Sequence, residues 1–163
     1  MIIKFKKINN YLILKKKYFI PILIILLTLF DQLTKFIILN SQPNFKMLIF
    51  NISLVKNTGA AFGILKNNSL MLGIFSLIVS FVMIYYIIKS KEFSLQIIIS
   101  LLLAGTFGNM IDRLFRNYVI DFIGTSFWPS FNFADSLITI SGILIMIYLI
   151  KEEIEKIKKS IKH

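Results

Sequence analysis

The sequence predicts an all-α membrane protein: four transmembrane helices with both termini cytoplasmic, plus a small extracytoplasmic β-sheet region, in a single integral membrane domain over residues 1–163. Three observations carry that prediction. The chain is 56% hydrophobic with a mean hydropathy of +0.77, yet holds only three prolines and seven glycines, a composition suited to spans rather than to a soluble core. Its apolar residues gather into four runs, each close to the ~20 residues that cross a ~30 Å hydrocarbon layer. Its lysines cluster at the ends of those runs, as orientation in a bilayer requires.

The first span covers about 19–39, with Pro21 expected in the first helical turn, where its missing N–H costs little. Residues 1–30 resemble a signal peptide in outline. No A-x-A-like site follows, and the apolar run continues through Asp31 and Lys35 to Leu39, so the segment is expected to stay uncleaved. The next stretch, about 44–58, is β-rich. In "LIFNISLVK" (48–56), Leu48, Phe50, Ile52 and Leu54 alternate with Asn51 and Ser53, which is strand periodicity, and Asn57-Thr58-Gly59 ends it as a turn.

The second span, 70–88, carries no charge, and the third, 93–112, carries none before Asp112. A second β-rich loop follows over about 117–131, with "YVIDFI" stopped by Gly124. Phe127, Trp128 and Phe131 in that loop suit the aromatic belt at a membrane interface. The fourth span is about 133–150. All four should be helical, since in lipid only a helix satisfies its own backbone.

The net charge of +11 is explained by where the charges sit rather than by nucleic acid, which is not expected as a partner. Thirteen basic residues fall at the two termini and in the 89–92 loop, against five (Lys46, Lys56, Lys66, Arg113, Arg116) on the opposite side. That imbalance puts both termini in the cytoplasm. The acids then separate. Glu92, Glu152, Glu153 and Glu155 are cytoplasmic, while Asp31, Asp112, Asp121 and Asp135 lie in or beside the outer ends of the spans.

The polar groups fall into short constellations. Asp31 and Lys35, four apart, share a helix face; they form either a neutralised pair bridging helices or a directly chemical pair. "NTGAAFG" (57–63) is a tight loop or a substrate-lining one, with Gly59 allowing close backbone approach and Asn57 able to cap or bind a peptide group. "AGTFGNMIDR" (104–113) has glycines for close helix packing, and Asn109 one turn from Asp112 and Arg113. It reads as a hydrogen-bond knot, or as a site where Arg113 takes a substrate carbonyl or a lipid phosphate. "FNFADS" (131–136) places Asn132 as an N-cap and Asp135 at N3.

Helix capping explains Asp135 alone. It does not explain Asp121, set between Ile120 and Phe122, since surface acids rarely have such neighbours without a partner. Together the two suggest a shared carboxylate site. Two close carboxyls share a proton: the ionised member accepts one from water and the protonated member donates. The start of the fourth helix favours charge on Asp135, which makes it the base. With no cysteine and a single histidine, His163, thiol, Ser-His and His-metal chemistry lack their residues, and neither metal nor cofactor is expected. A small transporter or proton relay is the alternative, since membrane carboxylates also mark ion paths, and a scaffold that keeps its acids as structural pairs is a third reading.

"DQLTK", "NTGAAFG", "GNMIDR", "VIDF" and "FNFADS", in that order among four spans, resemble the lipoprotein signal peptidase (signal peptidase II) family over about 19–150. The resemblance implies an aspartic endopeptidase whose catalytic pair, the Asp of "VIDF" and the Asp of "FNxAD", is Asp121 and Asp135. It implies supporting roles for Asp31, Lys35, Asn57, Gly59, Asn109, Asp112, Arg113 and Asn132. The implied substrate is a diacylglyceryl prolipoprotein, cut just before the lipid-modified cysteine. The implied setting is the bacterial cytoplasmic membrane among its lipids, with the site facing outward and the protein a monomer. Two departures stand out: Ala104-Gly105 where the family often has Gly-Gly, and a short 121–135 connection.

Overall fold

The computed structural model describes residues 2–59 and 65–161, with side chains from Tyr18 onward. The order of elements is α1 (Ile2–Ser41), β1 (Asn44–Met47), β2 (Phe50–Asn57), α2 (Ser69–Lys89), α3 (Phe93–Arg116), β3 (Val119–Thr125) and α4 (Phe133–Ile161). Ala60–Gly63 of the "NTGAAFG" stretch lie outside the described residues, as does Lys162. The four helices contain stretches long and apolar enough to cross a membrane: Tyr18–Ser41, Ser69–Lys89, Phe93–Arg116 and Phe133–Ile161.

Two helices outrun their apolar spans. α1 begins at Ile2 rather than near residue 19, and α4 continues to Ile161 rather than stopping near 150. Hydropathy marks where lipid ends, whereas the helix stops only at a residue that breaks it, and the lysine- and glutamate-rich flanks contain none. Pro21 therefore sits inside α1, not in its first turn. It gives up one backbone hydrogen bond, and a proline in a helix interior costs about 3 kcal/mol.

β1, β2 and β3 form one antiparallel sheet in that order. The β1–β2 hairpin turns at Leu48 and Ile49, inside the stretch whose alternation reads as one continuous strand, with Leu48 at a φ of 55°. Between the pairs Ile52↔Ile123 and Val55↔Asp121 the register shifts, so Ser53 and Leu54 together oppose Phe122. This bulge re-aims the end of β2, and Asn57 comes to pair with Val119. Every connection through the sheet joins the same ends of the helices: α1 to α2 through β1–β2, and α3 to α4 through β3. The other end of the bundle carries the short α2–α3 link.

α3 is the central helix. It buries 39% of its span, against 11–17% for the other three, and packs on α1, α2 and α4. Two glycines allow this. A Cβ on Gly105 would meet the Ala134 carbonyl at 2.5 Å, and one on Gly108 would overlap the Asp31 carboxylate. The bundle is apolar outside: Ile22, Leu29, Phe36, Phe75, Phe81 and Met146 are all exposed. Inside, an apolar cluster around Ile20, Ile87 and Leu103 fills the end away from the sheet. At the sheet end the fully buried side chains include Asp31, Lys35, Asp112, Asp121 and Asn132. Phe127 and Trp128 are exposed in the loop after β3.

Candidate active site

The start of α4 builds one half of the site. Asn132 is the N-cap and Asp135 is N3, and each bonds the other's backbone. The Asp135 N–H donates to Asn132 Oδ1 at 2.9 Å, and the Asn132 N–H donates to Asp135 Oδ2 at 3.1 Å. This is a closed capping box. It leaves the Asn132 side-chain amide free to reach sideways, and Nδ2 donates to Asp121 Oδ1 at 2.7 Å. One asparagine thus ties both acids together.

Asp121 reaches the same place from β3. Its other oxygen accepts from Asn57 Nδ2 at 3.0 Å, and Asn57 Oδ1 accepts from the Gly59 N–H at 3.0 Å. Asn57 therefore both holds a turn peptide and grips the carboxyl. Asp121 is 2% exposed. Burial, and then the negative charge of Asp135, push its pKa from 3.8 up to about 7 against the two amide hydrogen bonds and the more distant Lys35.

Behind the two acids lies a buried ion cluster between α1 and α3. Lys35 Nζ lies 2.8 Å from Asp31 and 3.0 Å from Asp112, and donates to Asn109 Oδ1 at 3.0 Å. Asn109 Nδ2 donates to Asp135 Oδ1 at 2.8 Å. Asp31 and Lys35 thus bridge helices. Asn109 and Asp112 are joined through Lys35 rather than directly. Asp31 also accepts from the Ala134 N–H at 2.9 Å, and Asp112 from the Ile120 N–H at 3.1 Å. The cluster thereby docks the first turn of α4 and the start of β3 onto the helices.

The ten residues singled out from the sequence therefore meet at one end of the bundle. Asp121, Asp135, Asn57, Gly59 and Arg113 line a cavity of about 740 Å³ between sheet and helices, and Ile138, one turn along α4 from Asp135, lines it too. Arg113 Nη2 donates to the Gly59 carbonyl at 3.4 Å, while its Nε is buried without a hydrogen-bond partner among the described residues. Two members escaped the sequence reading. Arg116 pairs with Asp112 and donates to Gln32 Oε1 at 2.9 Å, and Gln32 Nε2 donates to the Gly108 carbonyl at 2.9 Å and to both Asp31 and Asp112. The four-residue spacing of Asp112 and Arg116 was the available signal. Among the described residues, no three of His, Cys, Asp or Glu converge in a way that could hold a metal ion.

The chemistry open to this arrangement is proton exchange between two carboxyls and a molecule in the cavity. A family model described as signal peptidase (SPase) II matches residues 23–151. The lipoprotein signal peptidase of Staphylococcus aureus (strain JH9) is 38% identical over 161 residues, covering 90% of this chain and 99% of that one. Two solved bacterial membrane enzyme structures, obtained by the in meso method at 2.3 and 1.9 Å resolution, match with TM-scores of 0.77 and 0.72. They are 36% and 37% identical, and the matches cover 82% and 81% of this chain and 88% and 92% of theirs.

Proposed function

The chain belongs to the signal peptidase II family, and from that premise we propose that Asp121 and Asp135 are the pair with which it cuts. It is an aspartic peptidase of a bacterial membrane that removes signal peptides from prolipoproteins. The scissile bond in this reading is the one before the diacylglyceryl-modified cysteine. The observation that carries the assignment is the sharing of Asn132, whose side chain grips Asp121 while its backbone and cap grip Asp135 at the wall of one cavity.

The steps follow from the asymmetry of the two acids. Asp121, buried and raised to about 7, holds the shared proton. Asp135, at the N-terminus of α4 and accepting two N–H bonds, is the ionised member. Asp135 takes a proton from a water as its oxygen attacks the scissile carbonyl carbon, and Asp121 gives its proton to the carbonyl oxygen. The resulting gem-diol collapses: Asp135 protonates the leaving nitrogen, Asp121 recovers a proton from a hydroxyl, and the C–N bond breaks. The products are a signal peptide with a free carboxyl and a cysteine with a free amine, and the pair again holds one proton. Arg113, which lines the cavity, is the donor for a substrate carbonyl.

The charge imbalance of the sequence supports an orientation with both termini cytoplasmic and the sheet end outside. A lipid-anchored substrate would then meet the cavity at the outer surface of the cytoplasmic membrane. All ten site residues come from one chain, which supports a working monomer. A proton relay would place ionisable groups along the bundle, whereas Asp31, Lys35, Asp112 and Asp121, the buried charged side chains among the described residues, gather at one end.

The test is incubation of the purified protein in lipid with a synthetic diacylglyceryl prolipoprotein. Asp121→Asn and Asp135→Asn should each lower the single-turnover rate by about 10²–10⁴-fold while the protein stays folded. Near-parental cleavage by either variant refutes the assignment.

A further inference from the structure

Asn109 presents two chemically opposite ends of one shape. In one orientation its NH₂ faces Asp135 at 2.8 Å; turned over, it would set an oxygen against that carboxylate. Two donors meet its oxygen, Lys35 Nζ at 3.0 Å and Asn132 Nδ2 at 3.1 Å. Asn132 is itself an amide, turned by the Asp135 backbone N–H on its Oδ1 and by the Asp121 carboxyl on its Nδ2, and it adds a neutral donor to the Asn109 oxygen. Lys35 differs in kind. An ammonium carries three donors and no acceptor, and the three find Asp31, Asp112 and Asn109. Lys35 is fully buried, so water offers it no alternative partner, and it cannot accept from an amide that has turned over.

The charge around it is balanced. Asp31 and Asp112 face Lys35 and Arg116, and Arg116 takes the outer oxygen of Asp112 while Lys35 takes the inner one. We propose that Lys35, held by Asp31 and by the Asp112–Arg116 pair, is a positioning residue that sets the orientation of the Asn109 amide and thereby aims the Asp135 carboxylate at the reacting water. This rests on Asp135 being catalytic. It assigns Lys35 more than gluing α1 to α3.

A variant that keeps the charge balanced separates the two roles. Asp31→Asn with Lys35→Met removes one charge of each sign. The amide oxygen introduced at position 31 can still accept from the Ala134 N–H, and Asp112 keeps Arg116. This pair of changes should lower kcat by about 10–100-fold, the size expected when a reacting group is misplaced by about an ångström, with KM within about twofold and the fold retained. A cycle with Asn109→Leu gives a second readout that tolerates partial loss of stability, measured below each variant's unfolding temperature. Because Lys35 acts through Asn109, the triple variant should lose no more than Asn109→Leu alone. Parental kcat in the charge-balanced variant, or losses that multiply in the triple variant, would overturn the proposal. Either result leaves the catalytic pair standing, whereas active Asp135→Asn would remove the premise itself.

Discussion

Asn57→Leu should move the basic limb of the pH–rate profile upward. Asp121 acts as the acid, so activity needs its proton, and with a pKa of about 7 the rate falls about tenfold for each pH unit above that value. Asn57 donates to Asp121 Oδ2 at 3.0 Å, a bond that favours the ionised carboxylate and so pulls the pKa down against burial and Asp135. A hydrogen bond to a charged group contributes about 1.5 kcal/mol, and 1.36 kcal/mol is one pH unit. Leucine matches the shape and offers no donor, so the limb should rise by up to about one unit. The assay is kcat/KM from pH 5 to 10 on a synthetic prolipoprotein, which reports the free enzyme. The apparent value belongs to the two acids jointly, but the sign of the displacement does not depend on how it is divided. The height of the profile will also fall, since Asn57 Oδ1 holds the Gly59 N–H, and height is separable from position. A limb that stays in place or moves down refutes Asp121 as the proton holder.

Asp135→Asn should separate chemistry from capping: the cap interaction contributes about 1 kcal/mol, so thermal unfolding should shift by only a few degrees while cleavage is lost. A shift large enough to unfold the protein at working temperature would contradict that division. Gly108→Ala forces a methyl group into the Asp31 carboxylate and to 3.1 Å from Ala134 Cβ, an overpacking expected to cost about 1–3 kcal/mol, measured by thermal unfolding in detergent. Arg116→Gln leaves two buried acids facing one cation. Because Arg116 is 27% exposed, water screens part of the loss, and the destabilisation should be about 1–3 kcal/mol, below the 3–5 of a fully buried pair; unchanged stability would show that Arg116 is not balancing the cluster.

The parts legible in the sequence were those with one-dimensional signatures. A span announces itself by length and hydropathy, and a capping box by the spacing of Asn132 and Asp135. The Asp31–Lys35 pair shows as two charges one turn apart in an otherwise apolar run. What was not legible depends on groups that carry no mark of their own. The hairpin turn at Leu48–Ile49 has no glycine, proline or asparagine to signal it, and Leu48 takes a left-handed φ of 55° because the strands on either side demand it. The bulge at Ser53–Leu54 is invisible in a pattern that alternates straight through it. Gln32 and Arg116 look like ordinary polar residues at a helix end until α1 and α3 meet. Which way the Asn109 amide faces has no sequence signal at all, since it depends on donors from other helices, Lys35 and Asn132.

The capping role of Asp135 and its chemical role are not competing explanations. The bonds that start α4 are the same ones that hold the carboxylate: Asn132 closes the helix end through its backbone N–H and Oδ1, and reaches Asp121 with the Nδ2 left over. Ala134, just before Asp135, is held by Asp31, which is held by Lys35, which orients Asn109. A loop-borne acid could be moved by any passing fluctuation. An acid at the first turn of a helix, docked by a buried backbone hydrogen bond to a neighbouring helix, moves only if the end of that helix moves. The apolar lipid-facing exterior requires its buried charges to be paired, and the pairing that satisfies them also fixes the site. Substitutions in this network should therefore register first as slower cleavage and only later as lost structure.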